Sequence, residues 1–478
     1  MEIKNLAPQN VWSIFDAMTQ VPRPSKKEEK IRQWLVNWAK EHNVECHLDK
    51  TGNVLMRVPA TPGYENHPTV VMQGHMDMVC EKNSDVKHDF ENDPLETYID
   101  GDWVTANGTT LGADDGIGVA LAMGVMTDPE AKHGPLEALI TYDEETGMTG
   151  ANNLEEGFMT GKILVNIDSE TEGQIFIGCA GGKDTCAEFR YAPIPAPERY
   201  YCKIKVSGLI GGHSGGDIHL GHANANKVLV RFLLSQPDIV VASINGGNLR
   251  NAIPREAEAV IGLPMSRKDQ LVADLNQYVA VVEGEVGDIE KNFKMTIETV
   301  DKPANIIEPG VADKLLAALQ ACPHGVQGMS RSMADLVETS TNLASVKMKE
   351  LGVIRVETSQ RSSVESEKED IANTVRTVFE LAGAEVTQGH GYPGWKPNVN
   401  SPILKVFAQT YRDMYGKEPE VMAIHAGLET GLFLTKYPDM DMISIGPTMV
   451  GIHSPEEKLS ISSVASFYKY MKEALSRI

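Results

Sequence analysis

The residues that can do chemistry fall in short clusters rich in histidine and acid. His75 and Asp77 follow the apolar run TVVMQG, and Asp114 and Asp115 sit in TTLGADDGIG. Asp143, Glu144 and Glu145 follow LEALITY, Asp168 follows KILVNI, and His453 lies a few residues beyond MDMISIG. Imidazole and carboxylate without thiolate suit zinc, manganese or cobalt. The ligand count favours two ions. If Asp114 and a water bridge them, His75 with Asp168 completes one four-coordinate site, and Glu145 with His453 completes the other. Glu144 is then left beside a ligand, where a general base belongs. Asp77 stands two residues from His75, on the same face of an extended chain, so it can hold the imidazole and fix its tautomer. Each cluster alone has an ordinary explanation: an acidic pair is usually solvated, and DD before a helix caps it and meets its dipole. Their coincidence at four strand ends carries the reading, because sites in open α/β sheets form outside the carboxyl ends of the strands.

The elements that must position these residues follow from the hydrophobic pattern. Two helices open the chain, one near residues 8–19 and one starting at Ser25, with Glu28 completing a capping box. PTVVMQ is apolar without alternation, as in a strand buried on both faces, and GIGVALAMGVMTD reads as a helix. LEALITY and KILVNI read as further strands. Alternating helices and buried strands predict an α/β fold with a mixed, mostly parallel sheet flanked by helices. After Gly182 the texture changes to two passages of strands and helices around the loop GGHSGGDIHLGH. These predict an inserted α+β lid domain of two halves. GYPGWKPN, residues 391–398, reads as the return linker. The expected organisation is a split catalytic domain of residues 1–183 and 392–478, with a lid and substrate-binding domain of residues 184–391.

Composition narrows the function classes. The chain has 478 residues, enough for two or three domains. Its 66 acidic residues outnumber 44 Lys and Arg, for a net charge of −22, which disfavours phosphate backbones and anionic lipid. No run approaches the ~18–20 apolar residues of a spanning helix. The opening residues lack a signal-peptide core, so a cytoplasmic protein without nucleic-acid or membrane partners is expected. Six cysteines read as scattered reduced thiols rather than a disulfide scaffold.

The motifs GHMDMV, TTLGADDGIG, DEETGMTGA, NIDSE, GGHSGGDIH, NAIPREA, HAGLE and SIGPTMVGIHSPEE, in that order, carry a resemblance over nearly the whole chain. They resemble the aminoacyl-histidine dipeptidases, also called cytosol non-specific dipeptidases. These belong to the di-zinc exopeptidase clan that includes aminoacylases and carboxypeptidase G. The resemblance implies two Zn²⁺ per chain, with Co²⁺ or Mn²⁺ able to substitute. It implies His75, Asp114, Glu145, Asp168 and His453 as ligands with Asp114 bridging, Glu144 as general base and Asp77 as the ligand-orienting acid. It also implies a cis peptide after Asp114. In the lid, His213 resembles the histidine that steadies the substrate carbonyl oxygen. Asn251 and Arg361 resemble substrate-binding positions, Arg361 for the free carboxylate, and Gly427 resembles a backbone contact. His219 and His222 read as structural. His425 stands open between a site residue and a satisfied buried histidine, and Asp115 and Asp143 gain no assigned role. The implied activity is metal-dependent hydrolysis of unblocked dipeptides, Xaa-His and β-alanyl-histidine among them, by a homodimer. An aminoacylase-type deacylase, a two-metal phosphoesterase and a non-catalytic metal-binding protein are the alternatives.

Overall fold

Strands buried on both faces form where aliphatic residues run without polar alternation. Val70–His75 and Leu136–Thr141 are such runs, and every residue of both is buried. The computed structural model describes residues 2–478. The chain divides into two compact units. One comprises Met1–Cys179, Trp395–Ala423 and Leu428–Ile478; the other comprises Ala180–Gly394 and Ile424–Gly427.

Among the described residues, the first unit carries an eight-stranded mixed sheet. Its centre is parallel: Leu136–Thr141, Val70–His75, Ile163–Asn166 and Asp441–Ser444 lie side by side in that order. Three of these four strands deliver site residues at or just past their carboxyl ends. Glu45–Leu48 and Val54–Val58 add an antiparallel edge beside Leu136–Thr141. The helix Ala113–Met126 is apolar on every side, and all its residues except Asp114 are buried. A helix of that composition belongs in the interior, and its first turn holds Asp114. A small antiparallel sheet pairs Met449–Val450 with Lys458–Ser460 and frames the loop that carries His453.

The second unit holds a nine-stranded antiparallel sheet among the described residues. Its two expected halves join where Gly246 pairs with Val346. The helices Ala225–Ser235, Lys268–Val286, Pro309–Ala321 and Glu365–Leu381 bury their apolar sides with the sheet in one core. The strand Val337–Glu350 begins earlier than its apolar run LASVKMKEL suggests. Its first half, including Thr339, Ser340, Thr341 and Asn342, is polar yet buried. It pairs with the polar end of Val353–Ser362, where Gln360 and Arg361 are also buried.

Two local expectations change. The second helix runs Glu29–Glu41, and no side chain caps it. Ser25 donates instead to Asp77 Oδ2 at 2.8 Å, and Glu28 Oε1 accepts from the backbone N–H groups of Lys26 and Asp143 at 2.9 and 3.1 Å. Ser25 thus gives its proton to a buried carboxylate, a charge-assisted bond, and Glu28 serves the backbone of the site rather than of the helix. The Gly/Pro-rich run at 391–398 is also more than a linker, since Tyr392 pairs with Gly182 and Trp395 with Cys179 by backbone bridges. Among the described residues all six cysteines are free, and no helix is long and apolar enough to cross a membrane.

Candidate active site

In the first unit, the strand-end residues converge. His75 Nε2 lies 3.1 Å from Asp114 Oδ1 and 3.5 Å from Asp168 Oδ1. His453 Nε2 lies 3.0 Å from Asp114 Oδ2 and 3.1 Å from Glu145 Oε2. The two oxygens of Asp114 therefore face two different imidazoles, and each imidazole is matched by one further carboxylate. On its other side His75 presents Nδ1 to Asp77 Oδ1 at 3.3 Å. Asp77 also accepts the backbone N–H groups of Glu144 and Glu145 at 3.0 and 3.2 Å. One buried carboxylate thus orients the His75 ring and the Glu144–Glu145 turn together. Burial pushes the Asp77 carboxyl up, but the contacts from His75, the Glu144 backbone and Ser25 outweigh it and hold the group at about 2.

The neighbouring acids have separate tasks. The Asp114–Asp115 peptide bond is cis, as the resemblance implies. Asp115 turns away from the cluster. Its Oδ2 accepts from the His75 backbone at 3.2 Å and its Oδ1 from the Gly118 backbone at 3.1 Å. A Cβ on either Gly74 or Gly118 would come within 2.1 Å of this carboxylate, so both positions need glycine for it to fit. Asp143 has a left-handed backbone, φ 49°, and its carboxylate accepts from the hydroxyls of Thr146 and Thr149. It shapes the turn that aims Glu144 and Glu145. Burial, with Glu429 and Glu145 nearby, pushes the Glu144 carboxyl up to about 8 against the opposing pull of His75.

Several supporting residues escape a sequence reading. Glu457 is buried and its carboxylate accepts the successive backbone N–H groups of Leu111, Gly112 and Ala113 at 2.6–2.9 Å, and of Asp114 at 3.3 Å. Arg23, also buried, donates to the carbonyls of Met76, Asp77 and Gly112. Together they fix the loop that presents Asp114. Below the site, Glu429 Oε2 accepts from Gln73 Nε2 and Thr141 Oγ1, both at 2.7 Å, and Asn166 donates to Gln73 Oε1 at 2.7 Å. These groups stand two residues before His75, Asp143 and Asp168, so a buried polar layer keeps the strand ends in register. The available signal is small: an unexplained Glu in HSPEE and another in HAGLE.

The first-unit cluster fits a metal. One donor atom each from His75, Asp114 and Glu145 lies within 4.8 Å of the others. Glu145 Oε1 is buried and meets no hydrogen-bond partner among the described residues. Carboxylates sharing one buried pocket repel each other unless a cation lies among them. The oxygen and imidazole donors are those that zinc, manganese and cobalt accept. The carboxylates of Asp114 and Glu145 push the His453 imidazole up to about 10, a measure of how strongly this pocket favours positive charge.

In the second unit a different cluster forms. His213 Nδ1 accepts from the backbone N–H groups of Gly215 and Gly216 at 3.2 and 3.0 Å. That fixes the neutral ring with its proton on Nε2, so His213 offers one outward donor. Burial, with the nearby Arg361 charge, holds this imidazole below its ordinary range. Arg361 donates from Nη1 to the Tyr392 hydroxyl at 2.9 Å. The Tyr392 ring is flanked by Gly182 and Gly427, where a Cβ would come within 2.6 and 2.9 Å of it. Gly427 thus makes room for the tyrosine that steadies Arg361. Asn251 is exposed, and its carbonyl accepts from the Ser214 backbone at 2.8 Å, tying it to the His213 loop. His425 is buried with Nε2 2.7 Å from Ser340 Oγ. Of the other two histidines of the Gly/His-rich loop, His222 bonds the Gly211 carbonyl and His219 is exposed.

Comparison with known proteins agrees with this geometry. The model of peptidase family M20/M25/M40 matches residues 71–477. The chain is 43% identical to the cytosol non-specific dipeptidase of Escherichia coli, with 100% of this chain and 99% of that protein covered. The crystal structure of aminoacylhistidine dipeptidase from Vibrio alginolyticus superimposes with a TM-score of 0.95 at 44% identity, covering 100% of this chain and 98% of that one. The aminopeptidase PepT of Bacillus cereus shares the fold at a TM-score of 0.59 and 15% identity, with 98% of each chain covered. With a family model spanning most of the chain and a full-length relative at this identity, the protein belongs to peptidase family M20/M25/M40 and is a metal-dependent peptidase.

Proposed function

We propose that this peptidase is a cytoplasmic homodimeric dipeptidase that hydrolyses unblocked dipeptides, Xaa-His among them. The observation that carries the reading is the split use of Asp114. Its two oxygens serve two imidazoles, each paired with one more carboxylate, and that arrangement provides for two ions. His75, Asp114 and Asp168 would hold one Zn²⁺, and Asp114, Glu145 and His453 the other, with Co²⁺ or Mn²⁺ able to replace them. A bound pair of such ions supplies an acidified water and polarises the scissile carbonyl.

The chain's own residues supply the rest. Glu144, a desolvated carboxylate beside the proposed ligand Glu145, takes a proton from the attacking water and delivers it to the leaving amine. Asp77 keeps His75 presented through Nε2 and holds the backbone of Glu144 in place. His213 donates from Nε2 to the carbonyl oxygen as negative charge develops there. Arg361, positioned by Tyr392, pairs with the free carboxylate of the substrate. Asn251 contributes a substrate contact from the loop beside His213.

The test is hydrolysis by metal-stripped and zinc-reloaded protein of Ala-His, β-Ala-His, a tripeptide and an N-acetyl amino acid. Zinc-dependent cleavage confined to the dipeptides supports the proposal. Cleavage of the N-acetyl compound alone overturns the substrate assignment in favour of a deacylase. No cleavage of any of them overturns the dipeptidase reading.

A further inference from the structure

The strand register of the second unit places Ser340 directly opposite Arg361 on neighbouring antiparallel strands. Paired residues of this kind project to the same face of the sheet. Ser340 Oγ then meets His425 Nε2 at 2.7 Å, which brings the imidazole to Arg361. Both side chains are 7% exposed. Arg361 Nε and His425 Nδ1 are buried and make no hydrogen bond of normal geometry among the described residues, the nearest backbone group to act on the imidazole being that of Val337. Unpaired buried polar groups are costly, so two of them in one pocket call for a partner with acceptors. Gly215 keeps space open there: a Cβ on it would lie 2.2 Å from the His425 carbonyl and 3.3 Å from Arg361 Nε.

We infer that His425, set by Ser340, is a specificity-determining residue that donates from Nδ1 to the free carboxylate of the substrate beside Arg361. The inference rests on the reading of Arg361 as the carboxylate partner. The Ser340 hydroxyl rotates freely enough to donate to Nε2, which leaves the ring proton on Nδ1. Burial and the Arg361 charge together keep the ring neutral, so it acts as a hydrogen-bond donor and adds no second charge. A carboxylate offers one oxygen to the guanidinium and one to the imidazole. A C-terminal amide offers one oxygen and sets its N–H groups against an N–H donor. His425 therefore separates the acid from the amide by hydrogen-bond polarity, in addition to the charge that Arg361 reads.

The experiment compares Ala-Ala with Ala-Ala amide, as substrates and as competitive inhibitors, on the zinc-loaded full chain. His425→Phe keeps the ring's bulk and removes both nitrogens. It should lower kcat/KM on Ala-Ala by roughly 10- to 100-fold, mainly through KM. The amide, relieved of the opposed N–H donor, should be no worse or improve, so the acid-to-amide ratio narrows. His425→Asn should recover part of the ratio, and Ser340→Ala should fall between. An unchanged ratio in His425→Phe, with acid and amide weakened alike, overturns the inference. If that variant does not fold, an unchanged ratio in Ser340→Ala overturns it instead. Arg361→Met separates the two readings. If it narrows the ratio while His425→Phe does not, His425 alone loses its role. If it leaves the ratio unchanged, the carboxylate assignment of Arg361 fails and the inference falls with it.

Discussion

The two clusters are built to opposite electrostatic rules. In the first unit five carboxylates, those of Asp77, Asp114, Glu144, Glu145 and Asp168, crowd together with two imidazoles; backbone N–H groups help hold Asp77 charged, and at Glu457 they pull against the burial that raises its carboxyl. In the second unit one guanidinium stands among imidazoles kept neutral by burial and by that same positive charge. One pocket is short of positive charge and the other short of negative charge. The first suits a cation, and the second suits an anion such as a free carboxylate. The contrast also shows why the same residue type does different work: His453 sits between acids and is pushed up to about 10, whereas His425 is pushed down to about 3.

That contrast can be broken most severely at its cation side. Asp114→Ala should lose metal, read by atomic spectroscopy after gel filtration, and abolish turnover; retention of two ions per chain would refute the bridging assignment. Glu144→Gln should keep both ions and slow kcat by roughly 10²- to 10⁴-fold, which separates the proton carrier from the ligands. Arg361→Met should leave metal content untouched and cut kcat/KM on dipeptides by roughly 10²- to 10³-fold, the scale of a broken buried charge pair. A kcat/KM within a factor of two of the unsubstituted protein would remove the anion-reading half of the comparison. Glu457→Gln should weaken zinc binding about 10- to 100-fold, as lost outer support of ligands does, measured by competition with a chelator. The smallest effect is expected at Gly427→Ala, which crowds the Tyr392 ring at a cost of about 1–3 kcal/mol in thermal unfolding. It should raise KM with zinc affinity unchanged.

The first cluster was far more legible in the amino-acid sequence than the second. His75, Glu145 and Asp168 stand at or just past strand ends, which are visible as the close of an apolar run, and Asp114 opens an apolar helix. The helix after Asp114 was visible for the same reason. Glu457 and Arg23 were not, because their partners are backbone groups of loops that only the folded chain brings near. Ser25 and Glu28 had a sound local assignment as a capping box, but Ser25 donates to Asp77 and Glu28 accepts from the Asp143 backbone instead. In the second unit the alternation of Val337–Glu350 gives way to buried Thr, Ser and Asn. That departure marks a site, yet no hydrophobic pattern announces it. Tyr392 lay hidden in a run rich in glycine and proline, where a linker is the ordinary expectation.

The first-unit cluster draws on residues far apart in the sequence: Arg23, Ser25 and Glu28 on one side, His453 and Glu457 more than 400 positions later. During synthesis the ribosome releases Asp168 long before His453, a gap of roughly 15–60 s at common elongation rates. Throughout that interval the nascent chain holds five carboxylates and one imidazole of a site whose last histidine has not been made. A premature stop before residue 453 therefore yields a chain without the second imidazole of the proposed ligand set. On the proposed ligand set, the order of synthesis therefore withholds peptide-bond hydrolysis until residue 453 has been made.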